Sequence, residues 1–367
     1  MRGDAFPATP RQALGAICRP VKRALKWGLW RLDPLDLLER VLRKPAGQPS
    51  LLILTYHHVT GKGSDLDETP FERGVSVEEF ERQVRELASN WRVMELSDAV
   101  GRMVAGKPLP KRALCLTFDD GYMDVHTYAF PVLRHHSVPA TVFVSSGFVG
   151  SDAVPWWSQM SHLFMSTQAP AVDLDHLPGA NGQITAASGP LLLTRDQHRF
   201  KAIATVNEVM KELPSPRQSE LLAELSDRLG LHAPAHLAGT WLGWAQMIEM
   251  SRHGVAIGSH TIHHPNLTLL DRQEQEAEIV GAKHQLQEGL GTDVDLFSYP
   301  FGLLNATSRE IVAKEFAAAC GSVHGANQWP PDQFSLRRIS IGWHRIWDFS
   351  FALKLPEGRF TGQSGGT

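Results

Sequence analysis

The sequence predicts an α/β protein organised as a (β/α) barrel. Short apolar runs such as ALCLTF and ATVFVSS do not alternate with polar residues, as strands covered on both faces of a parallel sheet require. Segments with helical spacing stand between those runs. The strand–helix order then repeats along most of the chain, which favours a closed barrel over an open sheet. A chain of 367 residues is long enough for one such barrel with insertions.

The elements follow in order. Residues 1–48 read as a helical extension, RPVKRALKWGLWRLDPLDLLERVLRK, closed by KPAGQPS. In it Arg19, Lys22, Arg23, Lys26 and Arg31 alternate with Leu25, Trp27, Leu29 and Trp30. Two readings stay open: a helix packed on the domain or a partner chain, and an amphipathic helix whose residues 19–43 lie on an anionic membrane surface. LLILTYHHV is the first barrel strand. SVEEFERQVRELASN is a helix, with Ser76 as N-cap, Glu79 completing a capping box, and Phe80, Val84 and Leu87 on one face. WRVMEL reads as a strand and LSDAVGRMV as a short helix. RALCLTF and ATVFVSS are strands with the helix YAFPVLRHHSV between them.

From about residue 156 to 241 the alternation loosens. PGANGQITAASGP is turn-rich, and RDQHRFKAIATVNEVMKEL and RQSELLAELSDRLG are helical. This is an insertion, too poor in strands to build its own sheet. The barrel pattern then resumes: helix WAQMIEMSRHG, strand VAIGSH, a long helix ending at Gly289 and Gly291, strand VDLFSYP, helix NATSREIVAKEF, and strands AAACGSV and LRRISI. The barrel domain is thus expected over 49–355, with a flexible tail over 356–367.

Composition excludes several classes. A net charge of -3 gives no general pull toward nucleic acid. Cys18, Cys115 and Cys320 are scattered, with no CxxC pair, which argues for a reducing compartment rather than a disulfide scaffold, and Cys115 and Cys320, both in apolar runs, read as buried thiols. There is no apolar run long enough to span a membrane, and no signal peptide is recognised. The expected location is the cytoplasm, peripheral at the inner membrane if the basic extension binds lipid.

The chemistry centres on two strand ends, where barrel enzymes keep their working residues. LCLTFDDGY places Asp119 and Asp120 side by side after an apolar run. Adjacent carboxylates repel unless a cation neutralises one of them. GSHTIHHPNL supplies His260 and His264, four apart, after another strand. One carboxylate and two imidazoles leave coordination positions open for water and substrate, a catalytic arrangement rather than a closed structural one. His263 stands beside them as either a ligand or a bystander. His58, next to His57 in TYHHV, reads as solvent-facing.

Those two stretches, TFDDGY and SHTIHHP, resemble the first two motifs of the polysaccharide deacetylase family, carbohydrate esterase family four. LTYHHV, PATVFVSSGFVG, the pair Trp156 and Trp157, FSYPFG and LRRISI are softer matches, running from about Leu51 to Phe351 outside the insertion. The resemblance implies a distorted (β/α)7 barrel that removes acetyl groups from sugars with a divalent metal, Zn²⁺ foremost, Co²⁺, Ni²⁺ or Mn²⁺ otherwise. It implies Asp119 as catalytic base, Asp120, His260 and His264 as metal ligands, and the backbone N–H of Phe301 as oxyanion donor. Tyr122, His57, Tyr299 and Pro300 fall at substrate-binding positions, and His57 is also a rival general acid.

The sequence departs from the family pattern in three places. Ser298 stands where an arginine usually orients the base, and Arg338 is the replacement expected from another strand. The Asp-Trp pair of the fourth motif is not visible. His344 is the late-lying candidate for the general acid. These departures resemble a subgroup associated with exopolysaccharide and lipid-linked glycan biosynthesis. The expected partner is an N-acetylated glycan. Two alternatives remain: an amidase or deacylase acting on a small molecule or nucleotide sugar, and a non-catalytic glycan-binding protein.

Overall fold

The computed structural model describes residues 50–61, 74–174, 189–232 and 240–341. The N-terminal extension, His344 and the tail lie outside these residues.

Seven parallel strands close into a barrel: β1 (Leu52–Tyr56), β2 (Ala113–Phe118), β3 (Ala140–Val144), β4 (Val255–Ser259), β5 (Leu296–Ser298), β6 (Ala318–His324) and β7 (Leu336–Ser340). Each strand pairs with the next, and β1 closes the ring by pairing with both β2 and β7. The predicted strand WRVMEL is reduced to Arg92–Val93, which pairs with the start of β2 outside the ring. Strands β2 and β3 are buried at every residue, which is why their sequences show no polar alternation.

Successive strand residues point to opposite faces, and this period of two sorts the barrel into two cores. Ile53, Cys115, Phe143, Leu296, Cys320 and Leu336 fill the interior. They pack there with Leu96, Val100 and Met103 of helix α2 (Leu96–Val104). Leu54, Tyr56, Leu116, Phe118, Val142 and Phe297 face outward. They bury against the covering helices, including Phe80, Val84 and Leu87 of α1 (Val77–Asn90). Cys115 and Cys320 are the buried free thiols expected.

Local signals set the helix ends. Ser76 caps α1 by accepting the Glu79 amide, but the reciprocal half of the predicted box is absent: Glu79 turns to Arg82 at 2.6 Å instead. Helix α3 (Phe130–His136) lies between β2 and β3. Three insertion helices follow: α4 (Trp156–Ser166), α5 (Asp196–Lys211) and α6 (Ser215–Leu229). They share an aliphatic core of their own, with Leu163, Ile203, Val206, Leu221 and Leu225 fully buried. Helix α7 (Trp244–Ser251) returns the chain to the barrel. Helix α8 (Arg272–Leu290) carries a full capping box, Asp271 with Glu274, and stops at Gly291 in the left-handed region. Helix α9 (Ala306–Glu315) precedes β6. Among the described residues no helix is long and apolar enough to cross a membrane.

Candidate active site

The period-two register aims polar side chains into one mouth of the barrel. Above Ile53 on the inner face come Thr55 and His57; above Cys115 come Thr117 and Asp119. Above Leu296 comes Ser298, and above Leu336 come Arg338 and Ser340. Thr55, His57, Asp119, Arg338 and Ser340 all line one pocket of about 300 Å³.

By that register Asp120 belongs on the opposite face from Asp119. Its φ of +74° turns the chain so that both carboxylates meet the pocket. Thr261, His264 and Phe301 also hold positive φ, at +66°, +56° and +56°. Such left-handed geometry is unfavourable for residues with a Cβ and persists only where surrounding structure enforces it. Here it gathers at the barrel mouth.

Asp119 and Arg338 form a bidentate pair, each N–H to carboxylate distance being 2.7 Å. The guanidinium also donates to Gly321 O, Thr55 Oγ1 and Ser298 Oγ. Ser298 Oγ thus accepts a hydrogen bond from the same guanidinium that clamps Asp119. Burial raises the Asp119 carboxyl, but the charges of Arg338 and His260 outweigh it and hold the group below the usual carboxylate range. Burial alone would weaken the Arg338 cation; Asp119 reverses that.

Asp120, His260 and His264 converge beside this pair, all buried, with ligand atoms within 4.8 Å of one another. Both imidazole Nε2 atoms lie 3.4 Å from the same oxygen, Asp120 Oδ1. That is longer than an ordinary N–H···O hydrogen bond and suits three donors arranged around a cation. His260 Nδ1 sits 2.6 Å from Ser298 O, which fixes the proton there and leaves the Nε2 lone pair for a metal. Burial pushes His264 down to about 3, so the ring is a neutral ligand at ordinary pH. Its Nδ1 is buried without a hydrogen-bond partner. Burial raises Asp120, but the adjoining imidazoles hold its carboxyl well below the usual range. The donor set therefore fits a divalent metal of the Zn²⁺ type.

The loop carrying the imidazoles is pinned from α8. Glu278 accepts the amides of Ile262 and His263 at 2.9 Å and faces His263 Nδ1 at 2.7 Å. His263 therefore points outward and is the bystander.

Three expectations need correction. His58 is buried rather than solvent-facing: it borders the same pocket as His57, packs on the Tyr122 ring and sets its Nδ1 2.6 Å from Asp124. Tyr299 borders the pocket, but its ring faces the outer core against Phe297 and its hydroxyl donates to Phe334 O. Pro300 is buried and does not line the pocket. Both follow β5, where the inner face belongs to Ser298. Tyr122 does reach the pocket; its hydroxyl accepts from Trp157 Nε1 at 2.7 Å.

The insertion supplies further pocket residues, of which Asn207 and Lys211 carried no signal in the sequence. Trp156 and Trp157 come from α4, Asn207 and Lys211 from α5. Trp157 and Phe301 flank the His264 ring at 4.9 and 4.6 Å between centroids.

With this geometry in place, comparison with known proteins is decisive for the family. The profile of the polysaccharide deacetylase family matches residues 106–169 and 203–316, spanning both acid and imidazole motifs.

The chain belongs to the polysaccharide deacetylase family.

Its members are hydrolases acting on N-acetyl amide bonds. YxkH of Bacillus subtilis strain 168, which carries the same family name, is 21% identical over 81% of this chain and 72% of its own length. The poly-beta-1,6-N-acetyl-D-glucosamine N-deacetylase of Staphylococcus epidermidis is 32% identical, but over 28% of this chain and 38% of that protein. The match to the Escherichia coli O157:H7 protein of the same name spans only 16% of its length. Two solved structures share the fold. Streptococcus pyogenes PplD has a TM-score of 0.56 at 17% identity, covering 84% of this chain and 100% of that one. IcaB from Ammonifex degensii has a TM-score of 0.52 at 20% identity, covering 83% and 97%.

Proposed function

We propose that this polysaccharide deacetylase is a metal-dependent N-deacetylase that hydrolyses the acetamide of an N-acetylhexosamine in a bacterial polysaccharide or lipid-linked glycan precursor. One observation carries the reading: a carboxylate clamped by a buried guanidinium stands directly beside a buried Asp–His–His set, in one pocket.

Asp120, His260 and His264 would hold the divalent metal, which when bound acidifies water and polarises a carbonyl. Asp119 accepts the proton of the attacking water. Its depressed pKa keeps it ionised across the physiological range, and the two-point clamp from Arg338 fixes which lone pair faces the pocket. The Phe301 peptide N–H is assigned to the developing oxyanion, with the left-handed turn at that residue setting its direction. His57 lines the pocket and is the proposed general acid for the departing amine. A merely glycan-binding role is disfavoured, since binding alone needs no buried charge constellation of this kind.

The substrate class is supported by the family and by the names of the N-deacetylase relatives. A cytoplasmic location with membrane-surface contact through residues 19–43 is supported by the basic, Trp-containing sequence there. Co-sedimentation with anionic vesicles tests it.

The deciding experiment incubates purified protein with N-acetylated glycans and lipid-linked oligosaccharides and measures acetate. Release that a chelator abolishes and added Zn²⁺ or Co²⁺ restores supports the reading. Release unaffected by chelation refutes metal dependence, and none from any acetylated glycan refutes the substrate class.

A further inference from the structure

The insertion reaches the catalytic mouth with one helix face. Asn207 and Lys211, one turn apart near the end of α5, both line the pocket. Asn207 is only 6% exposed overall and lines the pocket wall. An amide on a pocket wall offers both a donor and an acceptor to a bound ligand. Lys211 sets its ammonium 5.9 Å from the centroid of Phe301, the ring that flanks metal-ligand candidate His264. Its position is fixed from below: Asn266, two residues beyond His264, donates to Lys211 O at 2.9 Å. The ammonium pairs with Glu208 at 2.8 Å, but that carboxylate is an exposed i,i+3 neighbour. Such pairs are weak and readily exchanged for a better anion.

We infer that Asn207 and Lys211 form a substrate subsite that selects an acidic glycan, one carrying an anionic oxygen group next to the N-acetylated sugar. Asn207 bonds sugar hydroxyl or acetamide oxygens, and Lys211 displaces Glu208 to bind a carboxylate or phosphate. This deepens the deacetylase reading and rests on it for the place of the reacting sugar. The anion has two sources, a uronic acid within the glycan or a phosphate at its reducing end.

Binding separates this inference from the chemistry. With Asp119→Asn protein, calorimetry compares a neutral N-acetylhexosamine disaccharide, the same unit joined to glucuronate, and its 1-phosphate. At least one acidic probe is expected to bind about tenfold tighter than the neutral one, a single charge-assisted contact. The preferred probe identifies the source. Added salt should shrink the preference, a readout on unaltered Lys211. Lys211→Met should abolish it, Lys211→Arg should keep it, and Asn207→Ala should weaken all probes alike. Equal affinity for neutral and acidic probes, or a preference that survives Lys211→Met, overturns the subsite. Acetate release from neutral oligomers by the unaltered enzyme is measured separately. If release proceeds without acidic preference, only the subsite falls; if acidic binding holds but no acetylated probe releases acetate, only the deacetylase reading falls.

Discussion

The barrel mouth and the insertion core bury their residues by opposite means. The mouth buries two carboxylates, two imidazoles and a guanidinium, each balanced by a partner or by a ligand site. Among the described residues, the insertion core buries aliphatic side chains such as Leu163, Val206 and Leu225 and no charged one. Hydrophobic contacts are non-directional and tolerate repacking, whereas buried charges fail when one partner is lost. Substitutions in the mouth should therefore act first on turnover and pairing, and substitutions in the insertion on stability.

The largest separation should come from Asp119→Asn. It keeps the shape and removes the base, so acetate release should fall by about 10⁴-fold, with metal stoichiometry unchanged by elemental analysis. Retained turnover would dismiss Asp119 as the base.

Arg338→Met comes second. It strands a buried carboxylate, and breaking such a pair costs about 3–5 kcal/mol. Denaturant unfolding should show the loss, and the double variant with Asp119→Asn should recover much of it. A single variant as stable as the parent would contradict the buried pairing.

Leu225→Ala tests the other region. Leu225 is fully buried in the insertion core, and truncation there should cost about 3 kcal/mol. Below the melting temperature, turnover should stay within about twofold, since the Leu225 side chain packs in the insertion core rather than the pocket. A collapse of turnover at full folding would erase the contrast.

Mild acid should give the smallest effect. His264 is held down to about 3 from an ordinary value of 6.5. Between those values the unfolded chain binds a proton that the folded chain does not, so stability falls as pH falls. In chelator-stripped protein the first pH unit below 6.5 should remove about 1 kcal/mol, and bound metal should suppress the loss. Stability that is flat over that unit would mean that His264 is not held neutral.

Much of the mouth was legible because its residues sit in two compact motifs at strand ends. Asp119, Asp120, His260 and His264 could be named from TFDDGY and SHTIHHP alone. Arg338 was legible as a replacement for the guanidinium missing at Ser298. Strand parity would have gone further: counting by twos from Leu296 puts Ser298 inside and turns the Tyr299 ring toward the outer core. The contributions of Asn207 and Lys211 had no such signal. They sit on an ordinary amphipathic helix, and only the docking of the insertion through Asn266 carries them to the pocket. Glu79 shows the local limit, since a capping-box spacing cannot reveal that Arg82 claims the carboxylate.

The origin of the guanidinium has a consequence for biosynthesis. Arg338 sits on β7, the last of the described strands in chain order, whereas Asp119 and all three metal-ligand candidates belong to segments made earlier. A nascent chain released before β7 would hold the acid without its counter-cation and a sheet without its closing strand. Translation thus delivers the seam and the neutralising charge together, so a prematurely terminated product is not a weakened enzyme but an unclosed one.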